Sequence, residues 1–289
     1  VFSAFGTEVT QLNRSSRLLR GVDEEVVARF EEAASKQWNI VKNAGLSEIR
    51  ENADGSVTVV AKRTTENGEE LLEIPADAVL VATGRRPNTD TLNAKNYFDV
   101  QDGGQLSVDK YQRVLYNGAP VPGVYALGDV SSRYQLKHVA NHEARVVQHN
   151  LSHPEDLRAS DHRYVPGAIF SNPQIAVVGM TEEQAREAAA REGFEITVKA
   201  QNFGDTAYGW AMEDKIGLCK LIARKDNGEL LGAHLVGEES SVLIQPLLQA
   251  MSFGMDARTL ARGQYWIHPA LTEIVENALL GLEFDEPAN

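Results

Sequence analysis

The chain has 289 residues, 43% of them hydrophobic, enough for about two domains with a sizeable core. Its net charge of -13 argues against nucleic acid and anionic membrane surfaces as partners, and no apolar run approaches membrane-spanning length. A single cysteine, Cys219, excludes an intrachain disulfide framework and points to a reducing, cytoplasmic setting.

The chain opens without Met, and VFSAFGTEV lacks the basic n-region of a signal peptide. Residues 1–5 read as the end of an amphipathic helix stopped by Gly6, and residues 8–12 as a strand. Helix end, glycine and strand make the rear half of a βαβ unit, so we expect the C-terminal part of something longer. The turn ahead of such a unit carries a phosphate-binding glycine fingerprint, and no G-x-G-x-x-G occurs in this sequence.

Asn13-Arg14-Ser15-Ser16-Arg17-Leu18-Leu19-Arg20 follows that strand. In a dinucleotide fold this position faces the adenosine ribose, where an acidic residue suits a free 2′-hydroxyl. Asn13-Arg14 and the arginines behind it suit a 2′-phosphate instead. The alternative is a basic surface loop before a helix.

Residues 23–43 carry Val26, Val27, Phe30, Ala33 and Ala34 at helical spacing. Residues 56–62 and 71–74 alternate like strands, with a hairpin turn at Asn67-Gly68. Residues 78–82, AVLVA, predict a buried parallel strand. It ends in Thr83-Gly84-Arg85-Arg86-Pro87-Asn88, where Gly84 lets a backbone approach a ligand. Residues 106–109 and 124–127 predict short strands, the second running into Gly128-Asp129. An aspartate at a strand end can bond a ribose or ribityl hydroxyl, with the glycine clearing space. A helix over 137–151 could receive a polar ligand edge at its N-terminus. An ordinary strand–turn–helix is the alternative. Residues 152–163 are polar and turn-rich and predict a linker.

From Tyr164 the character changes. Strands are expected at 168–170, 175–178, 196–202, 218–224 and 230–236, with Asp226-Asn227-Gly228 turning the last hairpin. Thr181 should cap a helix ending near Gly193. Cys219 falls in a strand and is expected to be a small buried side chain. Helices are expected at 241–252 and 255–261, and strands followed by helices indicate an α+β domain.

The last stretch is QYWIHPALTEIVE. Pro269 fits the first position of a helix whose apolar stripe includes Leu271, Ile274, Val275 and Ala278. That would place His268 at the helix mouth, able to fold back on Glu273. A carboxylate partner fixes an imidazole tautomer and suits acid–base chemistry. The alternative is a histidine capping a helix beside a solvated glutamate. No metal-ligand cluster is expected.

In this order, ATGRRPN, YALGD, FSNPQIAVVGMTEEQA and IHPALTE resemble the flavoprotein disulfide reductases, the class I pyridine nucleotide-disulfide oxidoreductases. The resemblance covers essentially the whole chain. Tyr265-Trp266-Ile267 and DTAYGWAMED look most like the branch that reduces mycothiol disulfide; a lipoamide-linked branch is the alternative.

The resemblance implies an α/β fold: partial Rossmann-like NAD(P)H- and FAD-binding domains, then an α+β dimerisation domain. The implied ranges are 1–83, 84–162 and 163–289. It implies FAD and NADPH as cofactors, a low-molecular-weight disulfide as substrate, and a homodimer. Gly128 and Asp129 would contact the flavin, with Lys137 and His138 at the helix start beneath its ring, and Gly84 is a further cofactor-binding residue. Arg14 and Arg20 would hold the NADPH 2′-phosphate. His268 and Glu273 would form the acid–base pair that acts on the partner subunit's dithiol. The family's two glycine motifs and its cysteine pair do not occur here, so this chain alone is not expected to complete a catalytic cycle. A catalytically inert dimerisation fragment is therefore the rival reading.

Overall fold

The computed structural model describes residues 1–285, so the last four residues of the range 163–289 lie outside it. The chain divides into two compact units, Val1–Leu80 with Pro166–Asn289, and Val81–Val165.

In the first unit, Ser3–Phe5 is a short 3-10 turn ended by Gly6 at φ 89°, less than the helix end the pattern predicts. β1 (Thr10–Leu12) and β2 (Asn39–Val41) pair in parallel, and α1 (Glu24–Ala34) crosses between them. This is one βαβ unit. Asp23 caps α1 by accepting the Glu25 N–H at 3.1 Å. Val26, Val27, Phe30, Ala33 and Ala34 are buried as their spacing predicts. The helix stops well short of residue 43, because Asn39-Ile40-Val41 joins a ladder that only the distant β1 supplies.

β3 (Ala44–Glu51), β4 (Val57–Thr65) and β5 (Gly68–Ala76) form an antiparallel sheet. Thr65 pairs with Gly68, so the hairpin tip is Glu66-Asn67, one residue ahead of the expected turn. β3 carries little apolar alternation and escaped the sequence reading. The buried parallel strand expected at 78–82 does not form. Val79, Leu80 and Val81 are 39%, 74% and 65% exposed, and no ladder reaches them among the described residues. Such a run is buried only where neighbouring strands and covering helices enclose it.

The second unit contains the hairpin of β6 (Arg113–Tyr116) and β7 (Ala119–Tyr125) over a small core of Ala94, Leu106, Val114 and Ala126. Leu106 and Val108 make isolated bridges to Val100 and Val114 rather than the expected strand. Gly128–Val130 is a 3-10 turn, followed by α2 (Lys137–Ser152). The expected linker is tied down. Asn150 Nδ2 donates to the Arg158 carbonyl at 2.9 Å, its Oδ1 accepts the Arg158 N–H at 2.7 Å, and Gln112 Nε2 donates to Ser160 Oγ at 2.9 Å.

The chain then returns to the first unit. β8 (Gly167–Ile169), β9 (Gln174–Gly179), α3 (Glu182–Glu192), β10 (Ile196–Asn202), α4 (Ala207–Ala211), β11 (Leu218–Arg224) and β12 (Leu230–Gly237) follow in order. The sheet order is β10-β11-β12-β9-β8, antiparallel throughout. Thr181 and Gln184 form a capping box on α3, and Gly193 ends it at φ 77°. β11 is buried along almost its whole length, as expected for a strand covered on both faces. Val26, Val27 and Phe30 of α1 pack with Ile175, Leu218 and Val236 of the sheet. α5 (Ser240–Leu243), α6 (Gln245–Phe253), α7 (Ala257–Arg262) and α8 (Glu273–Leu280) complete the unit. Among the described residues no helix is long and apolar enough to cross a membrane.

Candidate active site

Pro269 does not open a helix. It is joined to His268 by a cis peptide bond, and residues 269–272 form turns. The first full helical bond runs from the Glu276 N–H to the Thr272 carbonyl at 3.2 Å, so α8 begins at Glu273. Those turns fold His268 back on the helix start. Its Nδ1 lies 2.7 Å from Glu273 Oε1, while Glu273 Oε2 receives the Ala270 N–H at 3.4 Å. The imidazole is 67% exposed and the carboxylate 16%. The pairing commits Nδ1–H to Glu273 and leaves Nε2 to exchange protons with whatever approaches. Trp266 anchors the preceding segment, its indole N–H donating to the Ala261 carbonyl at 3.0 Å. Tyr265 and Ile267, on either side, are exposed.

In the second unit Gly84 has φ 128° and Gly128 φ 69°. A Cβ on Gly128 would also stand 3.2 Å from Ala140 Cβ, so glycine is needed there for both conformation and space. The Gly128 N–H donates to Glu143 Oε2 at 2.7 Å. Glu143 is fully buried, and His162 Nε2 lies 3.0 Å from its other oxygen. Asp129 pairs with Arg85 Nη1 at 2.9 Å. Arg85, Arg86, Asn88, Leu92, Asp129 and Gln135 line an open cavity of ≈ 470 Å³. A carboxylate acceptor beside two guanidinium groups fits a hydroxylated, phosphate-bearing ligand such as the ribityl diphosphate of FAD. Lys137 and His138 are exposed at the first positions of α2, where the helix dipole favours negative charge.

The arginine loop belongs to the first unit. Asn13 Nδ2 donates to the Ser15 and Arg17 carbonyls at 2.8 and 3.0 Å, so this side chain organises the loop itself. Arg14 and Arg20 are exposed, and neither forms an ion pair among the described residues. Arg17 Nη2 donates to the Arg20 carbonyl at 3.3 Å.

Thus His268 meets Glu273, Gly128 shares a turn with Asp129, and Arg14 and Arg20 share a loop. The sequence reading gave no role to Arg85 or Glu143. Arg85 directly follows the singled-out Gly84. Glu143 stands on the buried stripe Val139, Val146, Val147 of α2, and a charge at such a spacing is a readable signal.

Residues 1–144 match the family described as pyridine nucleotide-disulphide oxidoreductase, and residues 165–279 match its dimerisation domain. The chain is 51% identical over 287 residues to mycothione reductase of Mycobacterium tuberculosis, covering 98% of this chain and 59% of that protein. It is 32% identical over 279 residues to dihydrolipoyl dehydrogenase of Synechocystis sp., covering 96% of this chain and 58% of that protein. The solved HOCl-induced flavoprotein disulfide reductase RclA of Escherichia coli superposes with TM-score 0.81 at 28% identity, covering 97% of this chain and 60% of that one. This chain therefore spans about three-fifths of the length of the curated relatives it matches. With family matches over residues 1–144 and 165–279, the chain belongs to the pyridine nucleotide-disulphide oxidoreductase family.

Proposed function

We propose that this chain is the C-terminal part of an NADPH-dependent, FAD-containing disulfide reductase, cytoplasmic and homodimeric, whose substrate is mycothiol disulfide. The observation that carries the reading is the exposed His268 held 2.7 Å from Glu273. Thiol–disulfide exchange needs a base for the attacking thiol and an acid for the leaving thiolate. An imidazole with Nδ1 tied to a carboxylate can serve both steps through Nε2. Bound FAD supplies the two-electron link between NADPH and a cysteine pair outside this chain.

The chain's own residues bind and orient. Asp129, with Arg85 beside it, suits ribityl and phosphate groups, and Gly84 and Gly128 admit close backbone approach. Lys137 and His138 present the start of α2, and Arg14 and Arg20 suit the NADPH 2′-phosphate. Residues 1–83, 84–162 and 163–289 correspond on this reading to nucleotide, flavin-contacting and interface parts. The 51% identity to mycothione reductase supports the mycothiol substrate. A lipoamide-linked, NAD-using enzyme is disfavoured by Asn13-Arg14, where NAD recognition calls for a carboxylate.

The test is His268→Ala in the full-length enzyme. Disulfide turnover should fall by about 10²–10⁴-fold, the usual contribution of general acid–base catalysis. Flavin reduction by NADPH should stay near normal in stopped-flow absorbance. Equal slowing of both half-reactions, or of neither, would make His268 structural. Glu273→Gln should cause a smaller loss, because the imidazole remains and only its orientation is disturbed. Bound FAD at its usual visible absorption bands would favour this reading over a catalytically inert dimerisation fragment.

A further inference from the structure

Glu31, on the loop-facing side of α1, has no place in the binding scheme above, yet its carboxylate is fully engaged. Its Oε1 accepts the Leu18 N–H at 2.7 Å, and its Oε2 meets Lys42 Nζ at 2.5 Å. The two side chains are 16% and 34% exposed. Leu18 itself is buried in the core with Val22, Val26 and Phe30. Its amide lies between Arg14 and Arg20 in sequence, so Glu31 grips the arginine loop near its middle.

Other bonds hold the first residues of the loop against the end of β2 and the segment that follows it. The Asn13 N–H donates to the Val41 carbonyl at 2.9 Å, and the Asn43 N–H to the Ser15 carbonyl at 3.1 Å. The loop backbone is thus held at Asn13, Ser15 and Leu18, while the guanidinium groups of Arg14 and Arg20 form no ion pair among the described residues. Affinity for a phosphate between two cations depends on their spacing, and a preformed spacing removes the ordering cost from the binding step.

We propose that Glu31 is a positioning residue for selection of the 2′-phosphate: by anchoring Leu18 it sets the relation of Arg14 to Arg20. The proposal rests on the reading of this loop as the NADPH phosphate site. It also runs against the sign of simple electrostatics. As a bare anion beside an anion-binding loop, Glu31 would weaken phosphate binding; as an anchor it strengthens it.

Two conservative variants separate these accounts in the full-length enzyme, with NADP⁺ and NAD⁺ as calorimetric probes. Glu31→Asp keeps the charge but withdraws the carboxylate by one methylene from the Leu18 N–H. Glu31→Gln removes the charge but keeps an oxygen acceptor. Anchoring predicts that Glu31→Asp weakens NADP⁺ on the order of tenfold, the worth of a charge-assisted hydrogen bond. NAD⁺ binding should not move, and Glu31→Gln, which keeps a neutral acceptor, should weaken NADP⁺ less than Glu31→Asp. Hydrogen exchange at the Leu18 amide should accelerate in Glu31→Asp while β11 stays protected. Tighter NADP⁺ binding by Glu31→Gln with an unchanged Glu31→Asp would overturn the proposal in favour of a field effect. Equal weakening of both nucleotides, or no change in either, would overturn it too. The double variant Arg14→Ala, Arg20→Ala tests the underlying reading separately: if NADP⁺ affinity survives it, the phosphate site lies elsewhere, whatever Glu31 does.

Discussion

Lys220 Nζ lies 2.9 Å from Asp23 Oδ1, a contact between residues 197 apart in sequence whose side chains are 6% and 3% exposed. Glu182 Oε2 joins at 2.7 Å, and the Glu182 N–H donates to Asp23 Oδ2 at 3.1 Å. One ammonium on β11 therefore ties together the starts of α1 and α3. Nearby His234 is buried, with Nε2 2.8 Å from the Met180 carbonyl.

These groups set the pH range of the fold. Burial lowers the His234 pKa, so the unfolded chain takes up that proton first and stability falls below about pH 6.5. Burial would raise the carboxyls of Asp23 and Glu182, but Lys220 together with the Glu182 N–H at Asp23 and with Arg186 at Glu182 holds both low. Their contribution is present above their ordinary values and is lost in a second step below about pH 4.5. Burial would likewise lower Lys220, but its bonds to Glu182 and Asp23 raise it. Its contribution is full below about pH 10.5 and is lost as pH rises through the raised value. The melting midpoint should thus plateau from about pH 7 to 10 and fall in two acid steps. Lys220→Met should destabilise by about 2–3 kcal/mol at neutral pH, the low side for a buried pair because Glu182 keeps contact with water. The deficit should shrink near pH 4, where Asp23 can take a proton. A uniform deficit at all pH values would count against this account.

Cys219 should be inert in the native state. It is fully buried in β11, and burial pushes its thiol well above the ordinary range. A thiol-reactive dye should label it only after denaturant is added. Stoichiometric labelling of native protein would contradict the buried placement.

Gly128→Ala should disturb the Asp129 turn more than overall stability. The new Cβ meets Ala140 Cβ, and φ 69° is unfavourable for alanine. In the full-length enzyme we expect flavin content to drop several-fold while the melting midpoint of apoprotein shifts by only a few degrees. Unchanged flavin content would remove this turn from the binding scheme.

Residues 163–289 should pair with a second copy about a two-fold axis. Sedimentation of the full-length protein should give a dimer at micromolar concentration. Exposed Phe170, Trp210, Phe253 and Tyr265 provide apolar surface for it. A monomer at that concentration would reject the homodimer and weaken the assignment of His268 to a shared site.

How much was legible depended on whether the signal was local. The Thr181 cap, the Gly193 stop, β10, β11 and β12 all followed from neighbouring residues, and the structure has them within a residue or two. The His268–Glu273 pairing was legible as well, although the helix starts later than Pro269 suggested. What escaped depended on distant partners. β2 exists through its ladder to β1, and Lys220 finds its carboxylates on two helices. Asn13 was read only as the non-acidic residue after the strand, whereas its amide is committed to two carbonyls of its own loop. Residues 78–82 failed in the opposite way: composition demanded burial, and no neighbour supplies it.

That bare run has a consequence for handling the protein. Ala78-Val79-Leu80-Val81-Ala82 is uncharged, β-prone and free of proline, the composition from which intermolecular strand pairing starts. Chains bearing it uncovered should stick to one another through these five residues before any part of the five-stranded sheet unfolds. A single charge at Leu80, already 74% exposed, should act as a gatekeeper and keep the chain in solution with no loss of core packing.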